Sequence, residues 1–239
     1  MCADTGGYRE RAARLSGAVV WEKRAPGGVP APPRRVLPDG CTDLLWMEDR
    51  LVVAGPDTRA HLPATRPGEL VVGLRFAPGQ GPAFFGVPAH ALRDQRVPLD
   101  VLWPRDQVER LAGTVAGNGS PGRVLEEIAL RRFREAAGPP DPAREVIAAA
   151  LGRGRPVAEV ARTVGVGERQ LHRRCLEAFG YGPKTLARVL RLVRALELAR
   201  GGLPYADVAA RAGYADQAHL AREVKALAGA PLGVILAPG

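Results

Sequence analysis

The chain has 239 residues, 46% of them hydrophobic, and its 34 lysines and arginines outnumber 25 acidic residues to give a formal net charge of +9. This length is enough for two ordinary domains with a hydrophobic core each, and the composition excludes an intrinsically disordered chain. The basic excess favours a polyanionic partner, although solubility or an anionic lipid surface would account for it equally well.

The cysteines and the hydropathy pattern indicate a cytoplasmic protein without a membrane segment. Cys2, Cys41 and Cys175 are too few and too far apart for a disulfide framework, and no Cys-x-x-Cys pair suggests a zinc site. The N-terminus lacks the apolar core of a secretion signal, and no apolar run approaches the ~20 residues of a membrane span. A reducing cytosol is the compartment that fits these features.

The first third of the chain predicts an antiparallel β-sheet or small barrel. Residues 1–16 are polar and are expected to be frayed or to hold a short helix over residues 8–15. Short segments rich in Val, Leu and Trp then alternate with Pro, Gly and Asp turn residues. The predicted strands are residues 18–23, 34–37, 42–47, 51–54 and 70–76. Their connections are too short for parallel crossovers, so the pattern favours antiparallel pairing.

Helical periodicity replaces the strand pattern after a loop at residues 79–86, which holds Phe84 and Phe85. The predicted helices are residues 89–92, 104–116 and 121–136. Their apolar side chains form either a dimer surface or core contacts with the sheet; they are Leu111, Val115, Leu125, Ile128 and Leu130.

A Gly- and Pro-rich run at residues 138–142 predicts a linker, and everything beyond it is predicted to be helical. The expected division is residues 1–138 as an N-terminal domain, a linker at 139–142, and residues 143–239 as a helical domain. The fold class is therefore α+β, with an antiparallel sheet and helices first and an all-α domain second.

One small pattern occurs twice in the helical part. Ala161 precedes Gly165 by four residues, and Ala209 precedes Gly213 by the same interval. In a helix-turn-helix, a small alanine lets the two helices touch, and glycine tolerates the positive φ of the turn between them. An apolar leucine follows each glycine and anchors the second helix; these are Leu171 and Leu220.

Residues 183–200, between the two copies, predict one long helix that begins at a proline and ends at Gly201-Gly202. Its apolar residues share one face, and its basic residues lie mainly opposite. A helix of this length spans ~27 Å, so it can hold two reading heads near the ~34 Å pitch of the duplex. The sequence therefore predicts one chain that contacts two successive major grooves.

These features carry a family resemblance. The duplicated motif, the spacer helix, the run Gly213-Tyr214-x-Asp216-Gln217 and the ending Gly229-Ala230-Pro231 make residues 156–236 resemble the DNA-binding domain of AraC/XylS-type transcriptional regulators. The N-terminal residues 37–44, with Gly55-Pro56 and Gly73-Leu74-Arg75-Phe76, are similar to the cupin-like sensor domain of one subgroup. The resemblance implies a sequence-specific regulator controlled by a small effector or by dimer contacts. Promoter DNA, a second copy of the chain and RNA polymerase are the implied partners.

Matching the family motif position by position implies which side chains face DNA. The base-contact candidates are Arg169, His172, Arg173, Gln217, His219 and Arg222. Arginine can bind O6 and N7 of guanine with two hydrogen bonds, and glutamine can bind N6 and N7 of adenine in the same way. Asp216 is expected to cap the second reading helix. The alternative for each residue is an ordinary solvated helix face.

Further basic residues are expected to contact phosphates, where they add affinity without reading sequence. The phosphate-contact candidates are Arg174, Lys184, Arg188, Arg191, Arg194 and Lys225. Arg191 and Arg194 have an alternative role, because they could instead pair with Glu177 or Glu197 inside the domain.

A candidate effector pocket lies in the N-terminal part, where alternate residues of a predicted strand share a face. The pocket candidates are Asp39, Cys41, Asp43, Trp46 and Arg75. The alternative is a buried turn whose carboxylates are satisfied. Cys41 could serve redox or alkyl-transfer chemistry, but an inert small hydrophobe is the simpler interpretation. His61 and His90 do not form the His-x-His…His pattern of metal-binding cupins, so no metal site is predicted.

No motif predicts catalysis, because G-x-S-x-G, H-E-x-x-H, a P-loop and a glycine-rich nucleotide fingerprint are absent. We therefore expect no enzyme activity and no cofactor. Two alternative functions stay open from the sequence. One is an enzyme or a metal-dependent cupin with an appended DNA-binding tail. The other is a cupin-like small-molecule or metal-binding protein whose C-terminal helices mainly bind another protein, such as polymerase, without reading DNA.

Overall fold

The computed structural model describes residues 7–28, 35–64, 66–135 and 141–237. The strands are β1 (Tyr8–Ala12), β2 (Val19–Arg24), β3 (Thr42–Met47), β4 (Arg50–Ala54), β5 (Leu70–Phe76) and β6 (Arg96–Pro98). They form one sheet in the order β1-β2-β5-β3-β4-β6, and each neighbouring pair is antiparallel. The antiparallel sheet predicted from the short connections is therefore confirmed.

The strands predicted at residues 42–47 and 70–76 are confirmed at those bounds, and those at 18–23 and 51–54 are confirmed with a shift of one residue. Within the prediction at 34–37, residue 34 lies outside the described residues, and Val36 forms an isolated antiparallel bridge with His61. The sequence did not predict β6, a three-residue strand on the far edge.

The prediction of a frayed or helical segment over residues 8–15 is wrong where β1 lies; residues 1–6 are outside the described residues. Residues Tyr8–Ala12 pair in full with β2, and the Tyr8 ring stacks on Trp21 with centroids 6.1 Å apart. An edge strand needs few apolar side chains, and its charges discourage pairing with other chains. The polar sequence of β1 therefore lacks the apolar pattern from which the other strands were predicted.

The predicted loop at residues 79–86 is also corrected, because helix α1 occupies Gly81–Phe85. Glycine is required at its start, since a Cβ on Gly81 would lie 2.1 Å from the Thr42 Oγ1. The helix buries Phe84 and Phe85, which pack on Phe76 with centroid distances of 4.7 and 5.6 Å. This aromatic cluster joins the helical layer to the sheet.

Helices α2 (Arg105–Ala116) and α3 (Pro121–Glu135) cover one face of the sheet, close to their predicted bounds; residue 136 lies outside the described residues. The predicted helix at 89–92 is a 3-10 turn, Ala89–Leu92, and a second 3-10 turn covers Leu99–Val101. Val115, Leu125 and Ile128 are buried against the sheet, as the core-packing alternative expected. Leu111 and Leu130 are half-buried.

The C-terminal part is helical throughout its described length. Its helices are α4 (Ala143–Gly152), α5 (Val157–Thr163), α6 (Glu168–Phe179), α7 (Pro183–Arg200), α8 (Tyr205–Ala212), α9 (Gln217–Ala228) and α10 (Leu232–Leu236). The predicted spacer helix is confirmed at both ends. Residues 139 and 140 of the predicted linker lie outside the described residues. No helix in the described ranges is long and apolar enough to cross a membrane.

Helix α7 connects two small cores. Leu186 and Val189 on its first half pack with α4, α5 and α6, while Leu192 and Leu196 on its second half pack with α8, α9 and α10. Both turn glycines have positive φ, 69° at Gly165 and 82° at Gly213, as the motif requires. The paired alanines and anchoring leucines of both motifs are buried.

Glu126 ties the end of β1 to α3. Its side chain is 3% exposed, and it accepts hydrogen bonds from the Arg14 backbone N–H and from the Arg11 and Arg14 guanidinium groups. Burial alone would raise the pKa of Glu126, but these hydrogen bonds and charges outweigh it. The pKa of this carboxyl therefore lies below its ordinary value.

We expect Glu126→Gln to lower the free energy of unfolding by about 1–3 kcal/mol at neutral pH, the range for removing a charged group from buried hydrogen bonds. Because the pKa is lower in the folded chain, the carboxylate stabilises fully above its unfolded pKa of ~4.3. The contribution is then lost as pH falls through the folded value. Urea unfolding at neutral and acid pH should show the gap between variant and parent closing in acid.

The matched control is Glu127→Gln, one position along α3, where the carboxylate is half-exposed and its salt bridges with Arg123 and Arg14 involve exposed arginines. We expect a loss of less than about 1 kcal/mol there. Equal losses in the two variants would show that Glu126 does not anchor β1.

Candidate nucleic-acid interface

The first reading face is the N-terminal half of α6. This helix begins after Gly167, whose backbone is extended, and it buries Leu171, Cys175 and Phe179 on one side. The opposite side exposes three of the predicted base-contact residues, Arg169, His172 and Arg173. The His172 ring lies against the backbone of Gly182, where a Cβ would be 2.6 Å from the ring Cε1. The start of α7 therefore limits the directions that His172 can take.

The second reading face is the N-terminal half of α9. As predicted, Asp216 caps this helix, because its Oδ1 accepts a hydrogen bond from the His219 N–H at 2.6 Å. Gln217 and Arg222 are exposed, while His219 is half-buried. The His219 ring meets Tyr214 edge-on at 5.4 Å, and its Nδ1 accepts from the Ala215 N–H at 3.3 Å. His219 thus supports the turn, which the sequence did not indicate.

The predicted phosphate contacts differ in their surroundings. Lys184, Arg194 and Lys225 are exposed, and Arg174 is half-buried. Arg191 lies over the Tyr214 ring at 5.4 Å from its centroid. Among the described residues, Arg191 and Arg194 form no ion pair with Glu177 or Glu197, the alternative partners considered above.

Arg188 makes a two-bond ion pair with Glu223, at 2.8 and 3.1 Å, which joins α7 to α9. The hydrogen bond to Glu223 raises the pKa of Arg188, and the same bond lowers the pKa of Glu223. Arg188 therefore positions the second recognition helix in addition to any phosphate contact. Sequence reasoning missed this role because Glu223 lies 35 residues away.

Two family models match the chain. One is described as a helix-turn-helix domain and matches residues 160–237, and the other is described as a domain of unknown function (DUF6597) and matches residues 18–98. No curated protein matches the chain. The first match coincides with the two recognition helices and their spacer. The C-terminal part is an AraC-type DNA-binding domain.

Solved structures with distant similarity include two of ToxT and one of AraT. An apo variant of ToxT from Vibrio cholerae strain SCE256 has 10% identity and a TM-score of 0.49, over 94% of this chain and 98% of that chain. Wild-type ToxT of the same strain, bound to an unsaturated fatty acid, has 12% identity and a TM-score of 0.49, over 95% and 96%. The C-terminal domain of AraT, a response regulator from Geobacillus stearothermophilus, has 24% identity and a TM-score of 0.36, over 39% and 79%.

The AraC-type domain rests on the N-terminal domain through the C-terminal end of its first recognition helix. The 3-10 turn Ala89–Leu92 lies against α6, with the His90 Nδ1 3.3 Å from the Leu176 carbonyl oxygen. Arg93 donates to the Gly180 carbonyl at 3.4 Å. Gly180 caps α6 with a φ of 84°, and a Cβ there would lie 2.6 Å from the Pro56 Cγ.

The second recognition helix touches the N-terminal domain in the same way. The Ala60 N–H donates to the Leu227 carbonyl, near the end of α9, at 2.7 Å. Leu37 packs against the core around α9, and the Arg35 Nε lies 3.9 Å from a Cβ placed on Gly229. Both recognition helices of the AraC-type domain are thus held at their C-terminal ends, and their N-terminal halves stay exposed.

The candidate effector residues lie on the sheet face away from α2 and α3, beside this junction. Arg75 pairs directly with Asp43 across β5 and β3, and its Nε lies 3.3 Å from Asp43 Oδ1 and 3.5 Å from Asp39 Oδ2. The Trp21 Nε1 also donates to Asp43 at 2.7 Å, and Gly73 leaves room for the indole, since a Cβ there would lie 2.3 Å from it. Trp46 is not part of this group, because it points into the core on the opposite face.

The loop before β3 is a polar turn. The Cys41 N–H donates to Asp39 Oδ1 at 2.9 Å, so residues 39–41 turn instead of continuing the strand. Burial raises the pKa of Asp43, against the opposing effects of Arg75 and Trp21. Burial also raises the pKa of Cys41, which favours the unreactive thiol over the thiolate. Asp43 is buried in this arrangement, while Asp39 and Cys41 are half-buried.

Tyr181, just after α6, inserts from the AraC-type domain into this polar turn. It is 2% exposed, and its hydroxyl has no hydrogen-bond partner among the described residues. A Cβ on Gly40 would lie 3.4 Å from that hydroxyl. Burial, together with the nearby Asp39 and Cys41, raises the pKa of Tyr181. No sequence signal indicated Tyr181, because its neighbours lie about 140 residues earlier. Within the described ranges, no group of three or more His, Cys, Asp or Glu could hold a metal ion.

Proposed function

We propose that this chain is a sequence-specific transcriptional regulator whose N-terminal domain controls how two recognition helices meet promoter DNA. The single observation that supports this proposal is the position of those helices. Both expose basic N-terminal halves, and both rest on the N-terminal domain at their C-terminal ends. A shift of that domain would change their relative placement.

The exposed residues are suited to contacts with base edges and with backbone phosphates of the duplex. Arg169, Arg173 and Arg222 can each donate two hydrogen bonds to guanine, and Gln217 can bind adenine. Each such pair discriminates against the wrong base by about 1–3 kcal/mol. Lys184 and the other exposed basic residues would add sequence-independent, salt-dependent affinity. The rigid 18-residue spacer α7 keeps the two reading faces in register.

Control by a small effector is the second part of the proposal. Asp39, Cys41, Asp43 and Arg75 form a polar cluster beside the domain junction, and Tyr181 brings the AraC-type domain into contact with it. A molecule that binds here can shift the docking of the domains only if it prefers one arrangement over another. We propose promoter DNA as the main partner, with a homodimer and RNA polymerase as further partners.

A mobility shift against genomic fragments tests the DNA-binding proposal. We expect the full chain to retain a subset of fragments as salt rises, because specific complexes outlast the salt-sensitive phosphate contacts of non-specific binding. A matched fragment and its scrambled version give the specificity ratio. Equal retention of both at every salt concentration would contradict sequence reading and favour a protein-binding role for these helices.

A further inference from the structure

A cleft of the N-terminal domain has no role in the function described above. A cavity of about 340 Å³ lies between α2 and α3, on the opposite side of the sheet from the polar turn. Its apolar wall consists of buried Trp103 and Ile128 with half-buried Leu111. This volume falls within the range of small-molecule sites in proteins.

The rim of the cleft is strongly basic. Three arginines line it against one glutamate; these residues are Arg110, Arg131, Arg132 and Glu135. Arg131 forms no ion pair with any residue that the structure describes. Arg110 is held by Asp106 at 2.8 Å in an exposed pair, an interaction weak enough for a ligand to replace. The net positive charge is complementary to an anion.

Arg132 is the most ordered of these groups. Its guanidinium lies over the Trp103 ring, 4.1 Å from the centroid, and its Nε donates to the Phe84 carbonyl at 2.6 Å. The Nη atoms have no hydrogen-bond partner in the described part of the chain. A guanidinium fixed in this way presents a planar pair of donors beside an aromatic surface, without further loss of side-chain freedom.

We infer that this cleft binds a small organic carboxylate with an apolar body. The carboxylate would accept hydrogen bonds from the arginines at the rim, where planar guanidinium and carboxylate groups match in geometry. The apolar body would lie on Trp103, Leu111 and Ile128. A neutral analogue of the same shape would lose the charge-assisted hydrogen bonds to the arginines and keep the apolar contacts.

The cleft is also connected to the first recognition helix. Arg132 holds the Phe84 carbonyl, and the Trp103 Nε1 donates to the Phe85 carbonyl at 3.0 Å. Both carbonyls belong to α1, which lies against α6. A carboxylate that binds Arg132 would therefore change the hydrogen bond that Arg132 donates to α1. Because α1 packs on α6, the position of α6 would change as well. This transmission rests on the proposed DNA-binding function, whereas binding in the cleft does not.

Calorimetry with the full chain tests the site, with 2-naphthoate as the probe and 2-naphthamide as its neutral analogue. We expect the carboxylate to bind about tenfold or more tightly than the amide, the factor for losing one charge-assisted hydrogen bond. Arg131→Gln should weaken 2-naphthoate by a similar factor. Arg123→Gln, an exposed arginine on α3 outside the cleft, is the matched control and should leave the affinity unchanged.

Three results would overturn the site: no heat with 2-naphthoate at millimolar concentration, equal affinity for acid and amide, or equal effects of the two arginine variants. The coupling between the cleft and DNA binding is measured separately. Saturating 2-naphthoate should change the affinity for a matched DNA fragment by about fivefold or more. Unchanged DNA affinity with intact calorimetric binding would refute the transmission and leave the site established. A chain that binds no DNA would refute the proposed function instead.

Discussion

Arg222→Ala and Arg173→Ala are each expected to reduce the preference for a matched operator over scrambled DNA by about five- to hundredfold. Each arginine is exposed on the N-terminal half of a recognition helix, where the side chain can bind a guanine edge. The loss of such a contact corresponds to about 1–3 kcal/mol of discrimination. Competition binding with one matched and one scrambled duplex, at a single salt concentration, measures the ratio directly.

Lys184→Ala provides the comparison for this prediction. Its side chain is exposed at the start of α7, so we expect weaker binding of both duplexes by the same factor. The slope of log affinity against log salt concentration should fall in magnitude by about one. Arg188→Ala should also weaken both, and Glu223→Gln should reproduce the part of that loss that comes from the α7–α9 ion pair. Equal losses on both duplexes in the Arg173 and Arg222 variants would refute their role as base contacts.

Gly180→Ala is expected to separate the two domains locally and to destabilise the chain more than the equivalent change at Gly213. Both glycines cap a helix with a φ near 80°, so both alanine variants incur the cost of a left-handed residue, about 1–2 kcal/mol. At Gly180 the added Cβ would also lie 2.6 Å from Pro56, whereas at Gly213 no atom of a described residue beyond its chain neighbours lies within 4 Å of it. Overpacking of this kind adds about 1–3 kcal/mol.

Hydrogen exchange locates the difference between these variants. Gly180→Ala should speed exchange at the end of α6 and in the 3-10 turn Ala89–Leu92, while Gly213→Ala should affect α8 and α9 alone. If the docked N-terminal domain restrains the reading faces, Gly180→Ala should also change the affinity of the chain for operator DNA relative to the parent. Matching exchange patterns in the two variants, or an operator affinity in Gly180→Ala unchanged from the parent, would show that the junction does not control the AraC-type domain.

Local sequence was sufficient for most of the helical half. The spacer α7 was predicted at both bounds because its proline start, glycine end and apolar periodicity are all encoded within the segment itself. The Asp216 cap was predicted for the same reason, since a cap depends on neighbours within one helical turn. By contrast, the helix at Gly81–Phe85 was missed, because its glycine and proline residues indicate a loop until Phe84 and Phe85 are buried.

The candidate sites needed longer-range information. Strand alternation places Asp43 and Trp46 on opposite faces, but only the register of β3 with β5 brings Asp43 beside Arg75. No sequence pattern indicated the roles of Glu223 and Tyr181, because each contacts a residue distant in the chain, Arg188 and Gly40 respectively. The basic face of each recognition helix was evident from the motif, whereas the part of that face left open by the N-terminal domain was not.

By itself, the sequence determined the two helix-turn-helix units, the antiparallel strands between residues 18 and 76 and the excess of positive charge. Helix periodicity, turn glycines and charge act over a few residues and are present in any conformation of the chain. The tertiary structure alone decided that a side chain at Gly180 would clash with Pro56, and that both recognition helices are held at their C-terminal ends. Such contacts join residues far apart in the chain, so they exist only once both domains have folded and packed together.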